Sequence, residues 1–210
     1  MVEPSAVAND VSLWEWSGSA FDEGEEAANW FSDFLGKPSR LVRFNEASEC
    51  RHVKSNYARS YTVKFNDMYP FLLLSQGSLD ALNNRLPEPV PVNRFRPNIL
   101  VEGCEPFSED LWNEIKISDF TFRGGELCYR CKVPRVNQET AEQGPEPTET
   151  LMNFRSDKIL RPNDEKHQGK VYMGQFLVCT NYVPETGKTI KVGDPVLVLK
   201  AFSSYAECLI

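Results

Sequence analysis

Histidine is almost missing from this chain: His52 and His167 are the only two in 210 residues, and neither lies near the one close pair of cysteines. That argues against a zinc site, which needs four nitrogen or sulfur ligands in two nearby pairs. No run reaches the roughly 18–20 apolar residues of a membrane helix; the longest, Phe71-Leu72-Leu73-Leu74, reads as core strand or helix entry. Basic residues are in deficit, 23 Lys and Arg against 30 Asp and Glu. A formal charge of −7 leaves no basic face for nonspecific nucleic-acid binding. Met1-Val2-Glu3-Pro4 lacks the basic and apolar regions of a signal peptide. The six scattered cysteines are therefore not read as a disulfide framework. Gly-rich phosphate loops, internal repeats and heptads are all lacking, and strands do not alternate with helices as a doubly wound parallel fold requires.

What is present is an ordinary globular composition, 41% hydrophobic and 25% charged, at a length that can bury a large core. The first twenty residues read as loop, with Val11, Leu13 and Trp16 hinting at a short strand. The spacing of Ala27, Trp30, Phe31, Phe34 and Leu35 predicts a helix over 23–35, acidic at its start and ended by Gly36 and Pro38. Residues 40–44 read as a strand, 45–60 as polar loop, and 61–65 as a half-buried strand. A second helix is predicted over 76–86, with Ser75 as N-cap and Leu79, Leu82 and Leu86 as its stripe. Strands follow at 99–101, 114–117, 120–122 and 126–131, a loop at 138–147, and a short helix at 150–155. A polar loop ends near Gly169, and the last strands are 172–179 and 195–200, with a turn at Thr186-Gly187. Many short strands and few short helices define an α+β class with a mostly antiparallel, barrel-like sheet.

Three clusters carry candidate chemistry. Cys128-Tyr129-Arg130-Cys131 is a C-x-x-C inside or at the end of a strand. A redox pair of the thioredoxin kind belongs at a helix N-terminus. A single thiolate metal ligand fits Cys131, because Arg130 and Lys132 flank it and favour the thiolate that a soft metal takes. Two buried strand cysteines are the commoner meaning of the same spacing. Asn93-Arg94-Phe95-Arg96-Pro97-Asn98 places two arginines about an aromatic in a rigid turn, suited to a phosphate or carboxylate, or simply to a solvated strand end. Phe65-Asn66-Asp67-Met68-Tyr69-Pro70 is a polar hinge in which Asp67 can act as a turn residue.

Together, in this order, and with Thr189-Ile190-Lys191-Val192-Gly193-Asp194-Pro195-Val196 near the end, these blocks resemble the MOSC family, and within it the mitochondrial amidoxime-reducing components, in a plant-like form. Further blocks match at Gly103-Cys104-Glu105-Pro106-Phe107, Glu109-Asp110-Leu111-Trp112 and Gly169-Lys170-Val171-Tyr172-Met173-Gly174-Gln175, and the likeness covers about residues 14–199. The resemblance implies a molybdenum cofactor (Mo-molybdopterin) ligated by Cys131. It implies that Arg96 and Asn98 hold the pterin and its phosphate, and that Tyr129 and Arg130 contact the cofactor beside the ligand. It gives Asp67 a catalytic place facing the metal, with Met68 and Tyr69 beside it. Arg96, Asn98 and Arg130 are thus expected to converge near Cys131, with Cys128 a structural neighbour.

The implied activity is reduction of N-hydroxylated compounds, amidoximes and hydroxylamines, with electrons from cytochrome b5 and NADH-cytochrome b5 reductase. The alternative is a non-catalytic cofactor-binding or sulfur-carrier module like the C-terminal domain of molybdenum cofactor sulfurases. A third reading is a structural domain with incidental cysteines. Nothing before Trp14 matches the family's N-terminal Lys-Ser region or its membrane anchor. The expected organisation is a linker or remnant of an N-terminal β-barrel domain at 1–20, a MOSC domain at 21–203 and a tail at 204–210. The resemblance implies a mitochondrial location, with the cytosol as the alternative.

Overall fold

A computed structural model describes residues 6–53, 58–163, 168–181 and 187–208. His167 and Thr186 of the expected 186–187 turn lie outside them. The chain divides into two compact units, Met1–Pro70 and Phe71–Ile210.

The first unit is built on a three-stranded antiparallel sheet of β1 (Ala6–Leu13), β2 (Trp16–Asp22) and β3 (Val42–Phe44), in that order. Residues 6–22 are therefore a hairpin, where the sequence led to a loop with a short strand about Val11, Leu13 and Trp16. The alternation that betrays a strand is weak because β1 is largely exposed and a register shift between Ala8 and Val11 interrupts its pairing. Trp16, Phe44 and Phe65 gather in tilted and edge-to-face contacts with centroids 5.3–6.0 Å apart. Helix α1 (Glu25–Leu35) begins after Asp22 Oδ1 accepts from Gly24 N, and Gly36 closes it in the left-handed conformation. Its apolar stripe faces solvent: Trp30 is 59% and Phe34 74% exposed, their rings stacked 5.4 Å apart, and Ala28 is the residue the helix buries. The expected strand at 61–65 shrinks to a bridge between His52 and Thr62, with Val53 N donating to Tyr61 O and Val63 N to Arg51 O.

The second unit holds a curled six-stranded mixed sheet in the order β5-β4-β8-β7-β6-β9. Its strands are β4 (Phe71–Ser75), β5 (Ile99–Val101), β6 (Trp112–Ile117), β7 (Phe120–Tyr129), β8 (Tyr172–Cys179) and β9 (Val196–Ala201). Among the described residues only β4 and β5 pair in parallel, so the antiparallel, barrel-like α+β class holds. Adjacent residues of β4 point to opposite faces. Leu74 joins Leu79, Leu82, Leu86, Phe95 and Met173, whereas Leu73 joins Ile115, Phe122 and Leu177. The central strands β4 and β8 are thus buried on both faces.

Helix α2 (Gln76–Asn83) is capped by Ser75, whose hydroxyl accepts from Ser78 N at 3.0 Å, as expected. It stops three residues early because Asn83 turns back, its side-chain amide exchanging two hydrogen bonds with the Val90 backbone; Leu86 is buried even so. Helices α3 (Thr148–Arg155) and α4 (Asp157–Leu160) follow.

The two strands expected at 120–122 and 126–131 are one strand, β7, ending at Tyr129. The Gly124-Gly125 pair lies between the two expected segments. In the fold a Cβ on Gly124 would meet Gln175 Oε1 at 2.2 Å, so the pair admits a close neighbour and the strand continues. Beside that contact lies a buried ion pair, Arg155 with Asp110. Arg155 also lies 4.4 Å over the Phe107 ring and donates to Tyr172 O and Tyr205 Oη. Burial pushes the Asp110 carboxyl up to about 6, against the opposing pull of Arg155. Arg161 donates to the carbonyls of Tyr205, Ala206 and Cys208, which docks the terminal segment.

Candidate functional site

The candidate site grows from the end of β7. Cys128, still on the ladder, is buried. Arg130 N keeps one more bond to Val171 O at 2.8 Å, and the chain then leaves the sheet into a 3-10 turn at Val133–Arg135. Cys131 sits at that exit, exposed, and neither cysteine is in a disulfide. Among the described residues no group of three or more His, Cys, Asp or Glu gathers, which is fewer donors than a structural zinc site needs.

Arg130 ties this exit to the arginine block 35 residues away. Its Nη2 donates to Phe95 O at 2.9 Å, its Nη1 to Cys128 Sγ at 2.9 Å and to Met173 O at 3.4 Å, and its guanidinium lies 5.4 Å over the Phe95 ring. Arg94 Nη1 donates to Pro134 O at 3.0 Å, and Gln138 Nε2 to Asn93 O at 2.8 Å. The two blocks picked out in the sequence thus meet side by side.

The arginine block divides its labour. Arg94 is committed to a backbone carbonyl. Arg96 is exposed, and its guanidinium has no partner among the described residues. Its backbone is left-handed, φ 55°, an unfavourable conformation for a residue with a Cβ, of order 1–3 kcal/mol. Both flanks hold it there. Phe95 is buried and pinned by Arg130, while Asn98 exchanges two 2.9 Å bonds with the Leu72 backbone, its N to Leu72 O and its Oδ1 from Leu72 N. Asn98 therefore commits its side-chain carbonyl to the fold, and its Nδ2 has no partner among the described residues. Tyr129 is 38% exposed, with the Lys170 ammonium 4.8 Å from its ring centroid.

Asp67, Met68 and Tyr69 belong to the Met1–Pro70 unit. There Asp67 is exposed and Tyr69 buried. The loop that carries them is fastened by Arg51, a buried residue that pattern reading left inside a polar loop. No hydrophobic period or motif marks Arg51, because its partners are main-chain carbonyls.

A groove of about 820 Å³ opens nearby in the second unit, lined by Pro87, Asn93, Arg94, Arg135 and Glu142 among others. Cys131, Arg96 and Arg130 are not on its walls, so it is a separate feature.

The exposed Cys131, the free Arg96 cation and the Asn98 amide donor suit an anionic ligand bearing a soft metal. Arg130 Nε is a further donor, buried without a partner, as expected of a wall that a polar ligand completes. An exposed cysteine at the end of β7, hydrogen-bonded through its neighbour Arg130 to the block that carries Arg96, fits a cofactor-carrying domain. The MOSC domain family matches residues 60–197, two thirds of the sequence, and the chain belongs to that family. It is similar to mitochondrial amidoxime-reducing component 1 of Mus musculus, 38% identical over 184 residues, which are 85% of this chain and 52% of that protein. The same component of Homo sapiens is 36% identical over equal coverage, and component 2 of Bos taurus is 35% identical over 83% of this chain. The chain spans about half the length of the curated relatives it matches.

Proposed function

We propose that this chain is a molybdenum-cofactor-binding reductase domain for N-hydroxylated compounds, amidoximes and hydroxylamines. Cytochrome b5, served by NADH-cytochrome b5 reductase, is its electron donor, and its location is mitochondrial. The observation that carries this reading is that the exposed Cys131 follows Arg130, whose guanidinium is hydrogen-bonded to Phe95 O in the turn that presents an unpartnered guanidinium at Arg96. Cys131 is the metal ligand. Arg96 and the Asn98 Nδ2 hold the pterin phosphate, and Arg130 and Tyr129 flank the cofactor. When bound, the cofactor supplies the two electrons that cleavage of an N–O bond consumes. Asp67 takes the catalytic place on the substrate, its carboxylate accepting a hydrogen bond from the N-hydroxyl group, with Met68 and Tyr69 shaping the same segment. Two protons complete the reaction, and the hydroxyl oxygen leaves as water.

The test compares molybdenum and pterin content with melting temperature in the wild type, Cys131→Ser and Arg96→Ala. Cys131→Ser should lose the metal. Arg96→Ala should lower the loaded fraction while stability stays within about 0.5 kcal/mol, the usual effect at an exposed position. Unfolding of Arg96→Ala with an unchanged loaded fraction would make Arg96 structural. Amidoxime turnover with an artificial donor separates a reductase from a module that only carries the cofactor.

A further inference from the structure

Arg51 lies in the middle of a segment whose main chain pairs with residues 61–63: Val63 N donates to Arg51 O at 2.8 Å, and Val53 N to Tyr61 O at 2.9 Å. Its side chain then runs on past that pairing to the next stretch of the chain. Nη1 donates to Lys64 O at 3.0 Å and Asn66 O at 2.6 Å, and Nη2 donates to Asp67 O at 2.8 Å. Three carbonyls within four residues turn toward one guanidinium that is 9% exposed. A solvated arginine needs none of this, and a buried one is costly unless its donors are used. Burial draws the Arg51 cation below its ordinary value, and the nearby charge of Asp67 acts in the opposite sense. The side chain of Asn66 adds to the same loop, Oδ1 accepting from Lys64 N at 3.4 Å and Nδ2 donating to Pro70 O at 3.5 Å.

We propose that Arg51 is the positioning residue for Asp67, its guanidinium fixing the Lys64, Asn66 and Asp67 carbonyls and with them the direction in which the Asp67 carboxylate leaves the main chain. The inference rests on the reading of 67–69 as the active-site segment. It assigns the task of holding that segment to a residue sixteen positions upstream that does not itself touch substrate. A planar fork can satisfy three carbonyls in fixed directions; an ammonium on a flexible stem cannot reproduce that geometry.

The experiment uses the full 210-residue chain as Arg51→Met, Arg51→Lys and Asp67→Asn. The first readout needs no cofactor: the backbone 13C carbonyl resonances of Lys64, Asn66 and Asp67. Arg51→Met should move these three and leave those of the β4–β8 sheet in place. The second is kinetic, with benzamidoxime and an artificial donor. Displacing a reacting group by about 1 Å lowers turnover on the order of a hundredfold, so kcat of Arg51→Met should fall toward that extent with KM nearly constant. Arg51→Lys should recover part of the loss. If Arg51→Met does not fold, Arg51→Lys carries both readouts, with the same three carbonyls shifted and an intermediate kcat. Unmoved carbonyls overturn the proposal, and so does wild-type kcat in Arg51→Met while Asp67→Asn is inactive. Wild-type turnover in Asp67→Asn instead overturns the reading of Asp67, and the role of Arg51 with it.

Discussion

Helix α2 in the Phe71–Ile210 unit sinks Leu79 and Leu82 into a core shared with Leu74, Leu86, Phe95 and Met173. Helix α1 in the Met1–Pro70 unit carries a stripe at least as apolar, yet leaves Trp30, Phe34 and Leu35 on the surface. The larger unit also affords a buried ion pair, Arg155 with Asp110, inside a ring of tyrosine, phenylalanine and backbone carbonyls. The ion pairs of the smaller unit, such as Arg40 with Asp22 and Arg43 with Glu23, are all at least partly exposed. Periodicity thus says which face of a helix is apolar. Whether that face stabilises the fold depends on what covers it.

Breaking the charged centre of the larger unit should have the largest effect. Arg155→Met leaves Asp110 buried without its cation and should destabilise the chain by about 3–5 kcal/mol, read from urea unfolding. Adding Asp110→Leu should recover much of the loss; a double variant no better than the single would show that Arg155 acts through its contacts with Phe107 and Tyr205 instead.

A matched pair of truncations sharpens the contrast between the helices. Leu82→Ala, at a position fully buried, should cost about 2–5 kcal/mol. Phe34→Ala should stay within about 0.5 kcal/mol by the same measurement. Equal losses at the two sites would mean that the α1 stripe is covered in solution.

The smallest effect concerns acid. Arg40 holds the Asp22 carboxyl below the usual aspartate value of 3.8, aided by the Gly24 amide. A depressed folded-state value stabilises above the unfolded value and is lost as pH falls through the folded one. The contribution is therefore whole at pH 6, starts to fall near the ordinary aspartate value of 3.8, and is lost as pH drops through the lower folded value. Arg40→Gln should lower the melting temperature at pH 6, and its difference from the wild type should shrink as pH falls below 3.8. A constant difference across that range would mean that the ion pair is not its source.

Some of this was legible before any coordinates. Ser75 reads as a cap because a serine precedes a leucine stripe, and β8 reads as a strand because its apolar run is bounded by turn residues. The hairpin at 6–22 was hidden, since an exposed strand has no face to mark. The break between the strands expected at 120–122 and 126–131 does not exist, because Gly124 makes room for Gln175 and the strand runs on. For the candidate site, the blocks around Asp67, Arg96 and Cys131 stood out as types of residue in an order, with no indication of which members were already engaged.

The sequence by itself determined the α2 stripe and its cap, the buried central strands, and the family blocks, because each is written in the identity and spacing of side chains. Only the tertiary structure decided that Arg94 is spent on Pro134 while Arg96 is free, that Cys128 is buried while Cys131 is exposed, and that Arg51 grips the loop of Asp67. For Arg94 and Arg51 the partner that matters is a backbone carbonyl. Every residue has one, so no pattern of side chains can reveal which of them a guanidinium will meet.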